Sequence, residues 1–126
     1  MSGEKNTVLV VDDDPMFRDA VCRILRKHEY DAIEVSKSIH VYNAITKKKP
    51  NLILLDIHMP EAGGVEVIHM MKRKDIRVPV IIISGHLNNV DFHILSEHGI
   101  KHFLAKPVHL KTIVTKVDEV INLHTT

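Results

Sequence analysis

The stretch Val8-Leu9-Val10-Val11-Asp12-Asp13-Asp14 is the strongest indication of the fold, because an apolar run without polar alternation ends abruptly in three acidic residues. Such a run is typical of a strand that is buried on both faces of a parallel sheet. The Asp14-Pro15 pair is typical of a helix start, with Asp14 as the N-cap and Pro15 at the first helical position. The stretch therefore predicts strand 1 at about 7–12 and helix 1 at about 15–28.

Three later apolar runs share this design, because each ends in a side chain that can take part in chemistry. These ends are Asp56 after strand 3 at 51–56, Ser84 after strand 4 at 79–84, and Lys106 after strand 5 at 100–105. The carboxyl ends of parallel strands meet at one edge of a sheet, where α/β proteins place their sites. We therefore expect the acidic, hydroxyl and lysine side chains at the four strand ends to lie close together.

Strand and helix patterns alternate along the chain, which predicts an α/β fold of the doubly wound (βα)5 type. Five parallel strands would form one sheet with helices on both faces. Strand 2 at 31–35 mixes polar and apolar residues, so we place it at the sheet edge. We expect helix 2 to be capped by Ser36 or Ser38 and to stop before Pro50, and Gly99 to end helix 4. The helices after the first are predicted at about 38–48, 64–74, 88–98 and 109–123.

The composition is that of an ordinary globular protein of one domain, with 126 residues, 44% of them hydrophobic and 26% charged. A net charge of +1 and a single short basic run, Lys47-Lys48-Lys49, argue against direct nucleic-acid binding through bulk charge. The single cysteine, Cys22, excludes an internal disulfide and should be buried. No run reaches the roughly 20 apolar residues of a membrane span, and the N-terminus has no apolar signal core. The sequence therefore predicts a cytoplasmic protein without a membrane partner.

The acidic residues at the ends of strands 1 and 3 would repel one another, so their grouping is unfavourable unless a cation neutralises it. Oxygen ligands with several positions left to water suit Mg²⁺, or Mn²⁺ in its place. With Asp12, Asp13 and Asp56 around the ion, Lys106 would supply a second cation and Ser84 a hydroxyl donor. This set suits phosphoryl transfer, which depends mostly on positioning and charge compensation. Asp56 would then be a carboxylate nucleophile that forms an aspartyl phosphate.

Each part of this set also has a simpler interpretation when it is taken alone. A single Asp at a strand end is usually a turn former or a helix cap, and we assign the cap role to Asp14. Ser84 alone would be a turn residue, and Lys106 alone would be a solvated charge. The functional interpretation therefore depends on the coincidence of four strand ends on one edge of the sheet.

Four motifs stand at these strand ends: Val10-Val11-Asp12-Asp13-Asp14, Leu54-Leu55-Asp56-Ile57-His58-Met59-Pro60, Ile83-Ser84-Gly85 and Phe103-Leu104-Ala105-Lys106-Pro107. Together they resemble the motifs of the receiver domain of two-component response regulators, and the resemblance covers the chain from Val8 to Ile121. It implies the flavodoxin-like strand order 2-1-3-4-5, with the site between strands 1 and 3. It also implies a single receiver domain over residues 5–124.

The resemblance implies a role for each residue of the site. Asp56 would accept a phosphoryl group from a sensor histidine kinase, a phosphotransfer protein or a small phosphodonor. Asp13, Asp56 and the backbone carbonyl of His58 would bind Mg²⁺ directly, whereas Asp12 would act mainly through bound water. Lys106 would pair with Asp56 and then with the phosphoryl oxygens.

The resemblance also implies a conformational switch. The Ser84 hydroxyl would move toward the phosphoryl group, and the Phe103 ring would turn inward into the vacated space. This movement would change the surface of helix 4, strand 5 and helix 5, where a downstream output domain or target protein would dock. A second copy of the chain would dock on the face of helices 4 and 5 to form a homodimer. The Lys106-Pro107 peptide bond would be cis.

Three positions depart from the commonest pattern of that family. The switch hydroxyl is Ser84 rather than Thr, so its rotamer is less constrained. His58, two residues after Asp56, and His86, beyond Gly85, would flank the phosphoryl group and affect its lifetime. We hypothesise that these two imidazoles make dephosphorylation pH-dependent near neutrality.

The ten histidines are unusual for a chain of this length. Apart from the two that flank the site, they are scattered without the short ligand spacing of a zinc site, so the sequence does not predict a structural zinc. We place His93 and His102 on the face of helix 4 and strand 5, where they could tune an interface.

Two other functions remain open at this point. A Mg²⁺-dependent phosphatase of the haloacid dehalogenase type also uses an Asp nucleophile, and Asp12 and Asp14 have the spacing that it needs. That reading leaves Asp56 without a role, and the sequence shows no cap segment. A pseudo-receiver that binds constitutively is disfavoured by the full acidic set with Ser84 and Lys106. The preferred interpretation is a regulated phosphoacceptor, which is not a turnover enzyme because the acceptor is the protein itself.

Overall fold

The computed structural model describes residues 5–59 and 63–125, and in these residues five strands alternate with five α-helices. Pro60, the last residue of the second motif, lies outside the described residues. The strands are β1 (Thr7–Val11), β2 (Asp31–Val35), β3 (Leu52–Asp56), β4 (Val80–Ser84) and β5 (His102–Ala105). The helices are α1 (Pro15–Lys27), α2 (Val41–Lys48), α3 (Gly64–Arg73), α4 (Asn89–Glu97) and α5 (Leu110–Thr125).

The strands form one sheet in the order β2-β1-β3-β4-β5, and every pairing is parallel. The predicted flavodoxin-like order is confirmed, and β2 lies at an edge as its mixed polarity indicated. Strand β2 lies on one side of β1 and β3 on the other, so the order of strands reverses between β1 and β3, where such folds form a crevice. Val11 of β1 pairs with Leu55 of β3, so the next residues, Asp12 and Asp56, lie side by side at this crevice.

The three central strands bury both of their faces, which explains why their sequences lack polar alternation. On one face, alternate residues such as Val10 and Leu54 pack with α1 and α5. On the other face, residues such as Leu55 and Ile82 pack against α2, α3 and α4. The two layers fix the carboxyl ends of β1, β3 and β4 in one rigid edge.

The start of α2 differs from the prediction. A 3₁₀ turn at Ser38–His40 precedes α2, and within residues 35–50, all of which are described, neither Ser36 nor Ser38 caps the helix through its side chain. The N–H of His40 donates to the Lys37 carbonyl at 3.1 Å, so a backbone bond of the turn starts the helix instead. Gly99 follows the residue that caps α4 and has φ +83, a conformation that glycine adopts without strain.

Among the described residues, no helix is both long enough and apolar enough to cross a lipid bilayer.

Candidate functional site

Three carboxylates gather where β1 and β3 end. One oxygen each from Asp12, Asp13 and Asp56 lies within 4.8 Å of the other two. Asp12 and Asp56 are buried, with 2% and 6% of their surface exposed, whereas Asp13 is exposed. Buried like charges at this separation create a strong attraction for a cation. The structure therefore brings together the three acids that the strand ends singled out.

The surroundings of Asp56 favour its neutral form. Burial raises the pKa of this carboxyl group, and the charges of Asp12 and Asp13 raise it further. The His58 N–H, which donates to Asp56 Oδ1 at 3.1 Å, and the Lys106 ammonium act in the opposite direction but do not cancel the rise in pKa. A further cation beside the cluster would therefore stabilise the charged form of Asp56.

Lys106 enters the cluster from the end of β5. Its Nζ donates to Asp12 Oδ2 at 2.9 Å and lies 3.6 Å from Asp56 Oδ2, so Asp12 is its closer partner in this conformer. Burial disfavours the ammonium, but the hydrogen bond and charge of Asp12 outweigh this cost and raise the pKa of Lys106. The Phe17 ring lies 4.4 Å from Nζ. The Lys106-Pro107 bond is cis, as the resemblance implied.

The loops that follow β3 and β4 are joined by hydrogen bonds. Ser84 is buried, its Oγ accepts from the His86 N–H at 3.2 Å, and its carbonyl accepts from the Lys106 N–H at 2.8 Å. The His58 ring bridges the two loops, because its Nε2 donates to the His86 carbonyl oxygen. The same Nε2 lies 3.8 Å from Asp91 Oδ2 on α4. A movement of Ser84 or His58 would therefore change the contacts of the loop that leads into α4.

Phe103 is partly buried under α4, and its ring centroid lies 5.0 Å from that of Phe92, which is 48% exposed. His93 lies on the exposed side of α4. His102 alternates with Phe103 along β5, so it shares the side of the sheet on which Leu104 packs with α5. Burial and the charge of Lys116 of α5 lower the pKa of His102. The expectation that His93 and His102 share one face was wrong.

Two supporting residues were missed in the sequence. Arg18 of α1 donates from Nη1 to the Asp12 carbonyl at 2.8 Å and from Nε to Glu34 Oε1 at 3.0 Å, so it ties the first acidic loop to β2. A Cβ added to Gly64 would lie 2.9 Å from the Asp56 carbonyl oxygen, so this glycine permits α3 to start against the end of β3. The Gly63-Gly64 pair was the only signal for this close approach.

The phosphatase alternative required Asp14 beside Asp12. Asp14 instead caps α1, because its Oδ1 accepts from the N–H groups of Met16 and Phe17 at 3.1 and 3.4 Å. Among the described residues, the third member of the carboxylate group is Asp13. The geometry therefore favours the receiver arrangement over the phosphatase arrangement.

A family model described as the response regulator receiver domain matches residues 8–118. This chain belongs to that family. The receiver domain protein (CheY-like) from Methanospirillum hungatei has a TM-score of 0.88 with 22% identity, and the match covers 94% of this chain and 95% of that chain. The non-phosphorylated HemR receiver domain from Leptospira biflexa has a TM-score of 0.87 with 22% identity, over 97% and 98% of the two chains. These two likenesses show the fold.

A sequence relative is the DNA-binding response regulator MtrA of Mycolicibacterium smegmatis, which is 28% identical over 93% of this chain and 51% of its own length. The receiver domain described here thus spans about half the length of the curated mycobacterial relatives that it matches. The yeast transcription factor SKN7 is 30% identical over 79% of this chain and 16% of its own length.

The family membership makes this chain a signalling module of the two-component class. Receiver domains bind Mg²⁺ through a cluster of acidic residues, and Asp12, Asp13 and Asp56 form such a cluster here. The phosphatase and pseudo-receiver alternatives are not favoured.

Proposed function

We propose that residues 5–124 form a receiver unit that accepts a phosphoryl group on Asp56 and thereby changes the surface of α4, β5 and α5. One observation carries the proposal: Asp56 is buried at the end of β3, between two other carboxylates and the Lys106 ammonium. A buried carboxylate in such a group is unfavourable for stability alone, which indicates a chemical role.

Asp56 is placed for nucleophilic attack at phosphorus. One of its carboxylate oxygens would form the new bond to phosphorus, while the bond between phosphorus and the donor's imidazole nitrogen breaks and that nitrogen takes up a proton. Lys106, 3.6 Å from Asp56 Oδ2, would offset the charge that the phosphoryl oxygens bring. Because the acceptor is the protein itself, the domain acts as a switch and not as a turnover enzyme.

The cluster of three carboxylates fits Mg²⁺ or Mn²⁺, because every donor atom is an oxygen and one of the three carboxylates is exposed to water. Asp13, Asp56 and the backbone carbonyl of His58 would hold the ion directly, and Asp12 would hold it through water. The bound ion would offset the negative charge of the carboxylates and of the phosphoryl oxygens.

Ser84 and Phe103 are the proposed switch pair. Ser84 Oγ accepts a hydrogen bond from the His86 N–H through a lone pair, and its O–H hydrogen would still be able to donate to a phosphoryl oxygen. Phe103 contacts α4 through Phe92, so a rotation of its ring would alter the exposed face of that helix. His58, Gly85 and His86 would flank the phosphoryl group and set its lifetime, with the pH dependence hypothesised above.

The proposed partners follow from this arrangement. A sensor histidine kinase or a phosphotransfer protein would supply the phosphoryl group at the carboxylate edge of the sheet. A downstream output domain, a target protein or a second copy of the chain would recognise α4, β5 and α5, where the apolar side chains of Val90 and Phe92 are 67% and 48% exposed.

The direct test is to incubate the protein with acetyl phosphate or phosphoramidate and Mg²⁺ and to measure its intact mass. We expect a gain of one phosphoryl group in the wild type and no gain in Asp56→Asn. Chelation of the metal should also prevent the gain, because the carboxylate charges would no longer be compensated.

Asp31→Asn is the matched control, because Asp31 is an exposed carboxylate on the edge strand β2. It should accept the phosphoryl group like the wild type. An adduct that persists in Asp56→Asn would reject the proposed acceptor, and steady release of phosphate that stops in Asp12→Asn would support the phosphatase instead.

The charge of Asp56 within the carboxylate cluster should also affect the thermal stability of the protein. Since the pKa of Asp56 is raised in the folded protein, its charge at neutral pH opposes folding, and stability should rise as the pH falls through the raised value. Asp56→Asn should therefore raise the melting temperature of the metal-free protein at neutral pH, because it removes a charge that burial and the neighbouring carboxylates disfavour. Mg²⁺ at ten times its dissociation constant should stabilise the wild type by about 1.4 kcal/mol.

Melting followed by circular dichroism, with and without Mg²⁺, checks both expectations, with Asp31→Asn again as the control. A metal-free Asp56→Asn variant that melts at or below the wild-type temperature would contradict the idea that charge repulsion destabilises the site.

A further inference from the structure

His69 and His98 are 29 positions apart in the sequence and meet where α3 packs against α4. The Nε2 of His98 lies 3.2 Å from the Nδ1 of His69. The ring centroids are 4.8 Å apart and the ring planes are nearly perpendicular, at 88°. Both side chains are partly buried, so the two imidazoles form a defined pair and not two free surface groups.

The backbone positions of both histidines are fixed by the packing of their helices. The N–H of His98 approaches the carbonyls of Ile94 and Leu95 at 3.2 and 3.1 Å, at the point where α4 ends. The Leu95 side chain is fully buried and fixes this end of α4 on the sheet. His69 follows Ile68, which is also buried, in the middle of α3. The packing of two helices therefore brings the two side chains together.

We propose that His69 and His98 form a site for a divalent transition metal ion, Zn²⁺ or Cu²⁺, that joins α3 to α4. Imidazole nitrogens are good ligands for both ions. Two nitrogens bound to one tetrahedral zinc lie roughly 3.3–3.4 Å apart, because each Zn–N bond is roughly 2.0–2.1 Å long. The observed separation of 3.2 Å is close to this value, so an ion could replace the shared hydrogen bond without moving either helix.

The site has two protein ligands, and water would complete the coordination of the ion. Among the described residues, the carboxylate group around Asp56 is the only cluster of three or more potential ligands, and neither histidine belongs to it. The bound ion would therefore exchange with ions in solution, which agrees with the absence of a structural zinc motif in the sequence. Mg²⁺ prefers oxygen ligands, so excess Mg²⁺ would fill the carboxylate group and leave the imidazoles available.

The test is a calorimetric titration of the untagged, unphosphorylated protein with zinc chloride in excess Mg²⁺. We expect one zinc ion to bind per chain. His69→Gln and His98→Gln should each weaken this binding by at least roughly tenfold, because each removes a direct ligand. Glutamine retains a polar side chain at the helix contact, and the melting temperature without zinc checks that both variants are folded.

His93→Gln is the matched control, because His93 lies on α4 with Glu97 2.7 Å away but is largely exposed. It should bind zinc like the wild type. In spectra of the imidazole nitrogens, zinc should shift Nδ1 of His69 and Nε2 of His98 before any other ring nitrogen. Unchanged zinc affinity in both glutamine variants, loss of affinity in His93→Gln, or no zinc uptake by the wild type would overturn the proposal.

Discussion

Replacing Gly64 by alanine is expected to destabilise the protein by about 2–3 kcal/mol. The added Cβ would lie 2.7 Å from Ile57 Cα and 2.9 Å from the Asp56 carbonyl oxygen, which is too close for either contact. These are backbone atoms at the end of β3, a strand that is paired on both sides, so they cannot move away cheaply. Equilibrium unfolding in urea measures the loss of stability.

The same change should also disturb the acceptor site. The N–H of Gly64 donates to the Ile57 carbonyl at 3.0 Å, and this contact sets the path of the chain directly after Asp56. We therefore expect Gly64→Ala to accept a phosphoryl group more slowly than the wild type under conditions in which both are folded. Intact mass against time gives the two rates.

Gly85→Ala is the control for stability. A Cβ at Gly85 would lie 3.8 Å from Lys106 Cβ, which is an ordinary contact, so the free energy of unfolding should change by less than about 0.5 kcal/mol. Equal stabilities for Gly64→Ala and Gly85→Ala would show that the start of α3 can move away from β3 and would remove the reason given for the glycine.

The strands and the layout of the site could be predicted because both depend on local patterns. A strand buried on both faces needs a continuous apolar run, and the ends of such runs mark one edge of a parallel sheet. The carboxylates of Asp12, Asp13 and Asp56 were therefore grouped correctly without any knowledge of their contacts. The N-cap role of Asp14 was also local, since Pro15 follows it directly.

The features that could not be predicted depend on contacts between distant segments or on backbone conformations without a strong residue preference. The 3.2 Å contact between His69 and His98 exists only because α3 and α4 pack together. The segments after α1, α2 and α3 turn through residues with positive φ, and no glycine marks these turns. Their φ values are 69 for Glu29, 47 for Lys49 and 54 for Asp75. The residue types at these turns therefore gave no sign of their conformation, although the predicted ends of the three helices lie within one residue of the observed ends.

Replacing Lys106 by methionine is expected to destabilise the metal-free protein by about 1–3 kcal/mol. The change keeps most of the apolar length of the side chain and removes the ammonium that contacts Asp12 and Asp56. Two buried carboxylates would then lack their cation, which lowers the free energy of unfolding even though the lysine itself is partly exposed. Without the ammonium, the pKa of Asp56 should rise further, so the deficit should shrink as the pH falls and Asp56 takes up a proton.

Lys106 is proposed to stabilise the carboxylates and to assist phosphoryl transfer. Measurements with Mg²⁺ and with a phosphodonor separate these two roles. Added Mg²⁺ should stabilise Lys106→Met more than the wild type, because the ion then supplies compensation that the lysine no longer provides. It should not restore the rate of phosphoryl transfer from acetyl phosphate, since the charge beside Asp56 Oδ2 would still be missing. Lys101→Met, which removes an exposed charge just before β5, should match the wild type in both measurements. If Lys106→Met with saturating Mg²⁺ accepted the phosphoryl group at the wild-type rate, Lys106 would be needed only to hold the carboxylates together.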